Sequence, residues 1–196
     1  MVEISSENSG YLIGKLLLAM PSMTDPRFHR AVILLCAHDA NGAMGLVINH
    51  PAQDVKFADL LKQLKIASDI ELGSSQVSLP VISGGPVEKG RGFILHGSNF
   101  AQKDTVKVDE QFSVTGTLDG LQAVANGQGP KPALFILGYA GWNAGQLDAE
   151  LQQNAWLVSD PNPDLVFRTN PEDQWSLAVS SLGFDPGMLS GVAGRA

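Results

Sequence analysis

The chain has 196 residues, 44% of them hydrophobic, and 13 Lys and Arg against 20 Asp and Glu give a net charge of −7. That length can bury well over half of its unfolded surface without help from a metal or disulfide, and the single cysteine, Cys36, excludes an intramolecular disulfide, a CxxC redox pair and a cysteine-rich zinc site. The basic residues are scattered (Lys62 and Lys65, Lys89 and Arg91, Lys103 and Lys107), so no patch for a phosphate backbone is visible and direct DNA binding is not expected.

Residues 1–10 (MVEISSENSG) are polar and acidic, with no basic stretch before the first apolar run; they read as a loose arm and not as a signal peptide. No run approaches the ~20 apolar residues of a membrane helix, so no membrane contact is expected and the expected address is the cytoplasm. Leu16–Met20 reads as a strand stopped by Pro21. Asp25-Pro26 reads as a turn or a single helical turn. The apolar run from Ala31 to Ala37 is nearly continuous, which predicts a strand covered on both faces. The Asp39–Gly42 turn then joins it to a third strand, Ala43–Asn49, as a hairpin. Apolar residues at 57, 60, 61 and 64 have helical spacing, with Asp54 as the expected cap. Strands follow at Leu79–Ser83 and Gly92–His96, an exposed loop at Ser98–Glu110, a strand at Phe112–Thr115, and a helix at Leu118–Ala125 stopped by Asn126-Gly127.

A buried strand at Ala133–Leu137 is expected to run into a glycine-rich loop, Gly138–Gly145, and then into a helix from Gln146 to Asn154. Trp156–Ser159 reads as a strand and Leu165–Arg168 as strand or turn. Pro171–Val179 reads as a helix with proline in its first turn, and residues 187–196 as loose. Hairpin pairs first, then strands mixed with helices, point to an α+β fold with a mainly antiparallel or mixed sheet, as one domain over 1–196.

The chemistry-bearing residues support a binding role better than catalysis. Cys36 lies inside ILLCA, where burial raises a thiol pKa, although strand alternation puts it on the same face as His38. The four histidines, at 29, 38, 50 and 96, lack any metal-ligand spacing, so no metal site is expected. Ser83-Gly84-Gly85-Pro86 lacks the Gly-Lys-Ser/Thr ending of a phosphate loop and reads as a turn. The glycines of 138–145 precede a helix start, where free N–H groups can hold an anion, but they do not match GxGxxG; close strand–helix packing is the simpler reading. Trp142 stands in that expected loop, either exposed as an interface anchor or covered by the loop folding back. Asp148 and Glu150, two apart on a helix, point to different faces and make no carboxylate pair.

The strings GKLLLAMPSMTDPRFHRAVILLCAHDANGAMGLVINHP, SGGPV, GFILH and GYAGWNAGQLDAEL, followed by Asn154–Leu157, closely resemble the YqgE/AlgH family of bacterial proteins. The resemblance covers about Gly14 to Trp156. It implies an α/β sandwich with a mixed, mainly antiparallel sheet and helices packed on it, in a bacterial cytoplasmic protein of a family labelled transcriptional regulators. It brings no catalytic residue and no cofactor.

The leading expectation is a non-enzymatic regulatory protein that binds a protein or small molecule in a cleft beside the central hairpin. The cleft is framed by Met20, Pro21, Asp25, Arg27, Phe28 and His29, by Asn49 and His50, by Gly84, Gly85 and Pro86, and by Tyr139, Gly141 and Trp142, because these turns end strands and carry apolar groups among glycines and prolines. The alternative is an enzyme or small-anion binder using the Asp25–His29 and Gly141–Gly145 loops.

Overall fold

The structure is a computed structural model that describes residues 11–68, 70–71 and 77–189. The loose arm expected at 1–10 lies outside them, as does most of the loose end expected at 187–196. Nine strands form one sheet: β1 (Leu16–Ala19), β2 (Val32–Asp39), β3 (Gly42–Val47), β4 (Val81–Ser83), β5 (Val87–Gly97), β6 (Thr105–Lys107), β7 (Phe112–Thr115), β8 (Ala133–Asn143) and β9 (Trp156–Ser159). Their order is β6-β7-β5-β8-β3-β2-β1-β9, with β4 added alongside β8. β4 runs parallel to β8 and every other pairing is antiparallel, so the fold is α+β with a mixed, mainly antiparallel sheet.

Five helices pack on this sheet: α1 (Phe57–Gln63), α2 (Leu118–Ala125), α3 (Gln146–Gln152), α4 (Pro163–Phe167) and α5 (Pro171–Ser181). Side chains alternate across a strand, so β1 and β2 feed two separate cores. Leu16, Leu18, Val32 and Leu34 meet Leu165, Trp175 and Val179 of α4 and α5. Leu17, Ala19, Ile33 and Leu35 meet Trp142, Leu147 and Trp156 on the opposite face. Leu16, Leu17 and Leu18 have no exposed surface, and burial of each contributes about 1.5–3 kcal/mol. A third cluster joins Phe57 and Leu61 of α1 to Leu121 and Val124 of α2 over the other half of the sheet.

Several elements depart from the sequence reading. The Gly138–Gly145 segment is no loop, because β8 continues through Asn143. Its residues Ala140–Asn143 pair with Gly42–Gly45 of β3, and Gly138 takes a φ of 73° that a residue with a side chain avoids. Leu165–Arg168 lies mostly in α4, because Asn162 caps that helix by accepting from the Leu165 N–H at 2.8 Å and Pro163 starts it. Asp54 does not cap α1; it sits at φ 63°, and the helix begins after Lys56 with no side-chain cap. The stretch 98–110 contains the short edge strand β6. Finally, a β-bulge between Leu35 and Ala37 breaks the alternation of β2. Cys36 therefore packs on the core of the α5 side, as its place inside ILLCA predicts, whereas His38 turns to the α3 side, so the two do not share the face that strand alternation gave them.

Candidate functional site

The segment between β1 and β2 arches over the α3 face of the sheet. Asp25 shapes it: its carboxylate caps a 3-10 turn over Pro26–Phe28 by accepting from the Arg27 backbone N–H at 3.0 Å. The Arg27 guanidinium folds back onto the same carboxylate, with Nη2 to Oδ2 at 2.6 Å and Nε to Oδ1 at 3.0 Å. This pair holds the Asp25 carboxyl below its ordinary range, chiefly through the side-chain hydrogen bond from Arg27. Phe28 is thereby set edge-to-face on Trp156, with ring centroids 5.8 Å apart.

Below the arch lies a groove of about 740 Å³, walled by Met23 and Phe28, by Pro86 and Val87, by Gly141 and Trp142, and by Gln146, Glu150 and Trp156. Its fixed polar centre is Glu150. Oε2 accepts from the indole N–H of Trp142 at 2.9 Å and from that of Trp156 at 2.7 Å. Oε1 accepts from Gln146 Nε2 at 2.9 Å. Gln146 Oε1 in turn accepts from the Asn143 N–H at 3.0 Å, which ties α3 to the end of β8. The two indoles meet edge-to-face at 5.9 Å. The helix puts Glu150 one turn after Gln146 on the groove side, while Asp148 points to His38, Oδ1 to Nε2 at 3.9 Å.

Of the expected cleft residues, Asp25, Arg27, Phe28, Pro86, Gly141 and Trp142 line this groove together. The others stand apart from its lining. Met20 accepts from the Met23 N–H in the turn that starts the arch, and Pro21 is exposed beside it. Asn49 is a buried clamp: Oδ1 accepts from the Val32 N–H at 2.8 Å, and Nδ2 donates to the Arg30 carbonyl at 2.8 Å. His29 is exposed and gives its carbonyl to His50 Nε2 at 3.0 Å; burial pushes His50 below its ordinary pKa. Gly84 and Gly85 press on β8 so closely that a Cβ would lie 2.3 Å from the Gly138 oxygen or 2.2 Å from the Tyr139 carbonyl carbon. Tyr139 packs edge-to-face on Phe93 in the α5-side core.

Trp142 is not an exposed anchor. It keeps 7% of its surface, its N–H is committed to Glu150, and it forms part of the groove wall. Of the alternative's Gly141–Gly145 loop, Gly141, Trp142 and Asn143 are on β8 and the Asn143 N–H is donated to Gln146, which leaves Ala144 and Gly145 between the strand and α3. Cys36 is an inert thiol: burial, with a lesser push from Asp109, raises its pKa to about 12, and Sγ donates to the Leu34 carbonyl at 3.5 Å. Among the described residues, no group of three His, Cys, Asp or Glu is arranged to hold a metal ion, and no helix is long and apolar enough to cross a membrane. Glu150, Gln146 and Trp156 are groove residues that sequence reasoning missed. The available signal was the Gln-x-x-x-Glu spacing of α3 beside two tryptophans.

A second cavity of about 610 Å³ lies between α1, α2 and β5, with apolar walls that include Leu60, Leu121 and Phe135. It contains none of the expected cleft residues, and its polar side chains are those of Asp54, Lys56, Asp59, Gln63, Lys89, Thr115 and Thr117.

Comparison with known proteins agrees with the sequence resemblance. A family model described as AlgH-like matches residues 16–187. A UPF0301 protein of Bradyrhizobium sp. is 51% identical over 195 residues, covering 97% of this chain and 90% of its own. A UPF0301 protein of Jannaschia sp. is 50% identical over 187 residues, covering 94% and 95%. The solution structure of the AlgH protein from Pseudomonas aeruginosa superposes with a TM-score of 0.76 at 41% identity, covering 100% of both chains. A Corynebacterium diphtheriae protein shares the fold at a TM-score of 0.67 and 18% identity, over 86% of this chain and 85% of its own. This protein belongs to the AlgH-like family.

Proposed function

We propose that this protein is a non-enzymatic regulatory protein of the bacterial cytoplasm, and that it acts by holding a partner protein in the groove under the 22–28 arch. One observation carries the reading: the groove sets aromatic walls beside several polar side chains, among which Glu150 has its orientation fixed by three internal donors. A pre-ordered carboxylate set beside aromatic side chains in a concave lining of mixed polarity is the composition of a recognition site. Catalysis is not part of the proposal. Asp25 is engaged by Arg27 and Cys36 is a raised-pKa core thiol, so neither is poised as a base or nucleophile. A regulatory effect on transcription would then pass through the partner and not through DNA contact.

The test blocks the groove without touching its core. Ser22 and Thr24 are exposed lining residues, so Ser22→Arg/Thr24→Arg fills the mouth at little cost in stability. Proteins captured from lysate by the native chain should be lost with this variant. They should be kept with Leu177→Asp, on the exposed side of α5. Equal capture by all three chains would reject the groove as the contact site.

A further inference from the structure

The composition of the groove specifies its occupant more closely. This inference rests on the groove being a contact site and names what enters it. Among the described residues, three charged side chains line the groove: Asp25, Arg27 and Glu150. Asp25 and Arg27 cancel each other through their paired bonds. Glu150 has only neutral donors, and among the described residues it takes part in no ion pair. Neutral donors orient a carboxylate without cancelling its charge, so one net negative charge remains at the groove floor. A carboxylate offers about four acceptor positions. Two are used on Oε2 and one on Oε1, which leaves one on Oε1. Of the aromatic side chains in the lining, Trp142 and Trp156 are buried and Phe28 is half-buried, so Phe28 is the ring within reach of an incoming cation, which an aromatic face attracts.

We propose that the groove takes the guanidinium group of an arginine on a partner protein, which lies against the half-buried Phe28 ring and donates to the open acceptor position of Glu150 Oε1. A planar, weakly hydrated cation suits such a ring better than a compact ammonium does, because it stacks on rings and keeps N–H groups free for a carboxylate. The chain uses this pairing within itself: the Arg30 guanidinium stands 5.1 Å from the Trp175 ring centre and that of Arg91 stands 5.2 Å from Phe93. The groove volume, about 740 Å³, accommodates the arginine with its flanking residues.

The test follows the three indole N–H resonances during titration with the peptide acetyl-Gly-Arg-Gly-amide. Trp142 and Trp156 line the groove; Trp175 donates to the Ala19 carbonyl at 2.9 Å outside it and serves as the internal control. The Trp142 and Trp156 signals should shift and that of Trp175 should stay. The citrulline peptide, equal in shape but neutral, should bind at least about tenfold more weakly. Glu150→Gln should lose a similar factor. Gln153 is exposed at the rim, so its variants fold regardless: Gln153→Lys should weaken binding and Gln153→Glu strengthen it, each by about two- to fivefold. Unmoved Trp142 and Trp156 signals, equal binding of citrulline, or no response to the charge at 153 would each overturn the proposal. If the arginine peptide fails while Ser22→Arg/Thr24→Arg still loses its captured partner, the groove stands and the guanidinium falls. If the peptide binds while capture is unchanged, the protein-partner reading falls instead.

Discussion

At the scale of the residue, two side chains show how burial separates structural from reactive chemistry. Asn49 looks like a cleft residue because it ends a strand before His50-Pro51. It is instead the partner of two backbone groups that the sheet leaves unpaired, the Val32 N–H and the Arg30 carbonyl. Replacing it by Ala strands both, each at about 1–3 kcal/mol, so urea denaturation of Asn49→Ala should show a loss of about 2–6 kcal/mol. Cys36 gives the converse case. With its pKa raised to about 12 from an ordinary 9.0, its thiolate population at neutral pH is about a thousandfold below that of the unfolded chain. Labelling by a thiol reagent should therefore be much slower in the native protein than in the unfolded chain. The sign for stability follows: the neutral thiol is favoured by folding, its contribution is complete below pH 9.0, and it is lost as pH rises toward 12. Rapid native labelling at neutral pH would refute the raised pKa.

At the scale of the element, the β5–β7 ladder carries a directed hydrogen-bond chain. His96 is fully buried; its Nδ1 faces the Gly97 carbonyl at 2.7 Å and must donate. Nε2 of the neutral ring then accepts from Thr115 Oγ1 at 2.9 Å, Thr115 accepts from Thr105 at 2.7 Å, and Thr105 accepts from the Gln102 N–H at 2.8 Å. A second proton on His96 would reverse this chain and leave a hydroxyl without an acceptor. Burial indeed pushes the His96 pKa below its ordinary 6.5. A depressed folded-state value for a group that charges on protonation means stability is complete above pH 6.5 and is lost as pH falls through the lower native value. His96→Gln should therefore flatten the acid side of the pH–stability curve measured by thermal melting. The same acid slope in both proteins would remove His96 from the account. His50, also depressed by burial, contributes in the same sense and remains in the variant.

At the scale of the whole molecule, the sheet assembles the groove from sequence-distant parts. Strand β9 follows α3 and returns to the edge of β1, pairing Trp156 with Ala19, so Trp156 arrives under the arch that leaves β1. The long strand β8 spans both halves of the sheet and delivers Trp142 to the same place. The net charge of −7 belongs to this scale too. A chain of this charge with no dense basic run should give no mobility shift with duplex DNA at about 0.15 M salt, where phosphate contacts are already screened. A shift that weakens steeply with added salt would contradict the indirect route to regulation.

Much of this was written into the chain. The apolar runs at 16–20 and 31–37 encode strands with two covered faces, because a residue that is apolar at every position has no side to give to water. The Asn41-Gly42 turn, the 57–64 periodicity and Pro171 fix their elements through local backbone preferences alone, and the 20–29 segment was recognisable by its two prolines. Local preference ends where pairing begins. The segment from Gly138 to Asn143, which reads as a glycine-rich loop, became strand because β5 and β3 supplied hydrogen-bond partners. The bulge at Cys36 reversed a face because register is a property of two strands and not of one. Glu150 reads in sequence as an ordinary surface carboxylate; only the tertiary arrangement, by aiming two indole N–H groups at one oxygen, made it the centre of a groove.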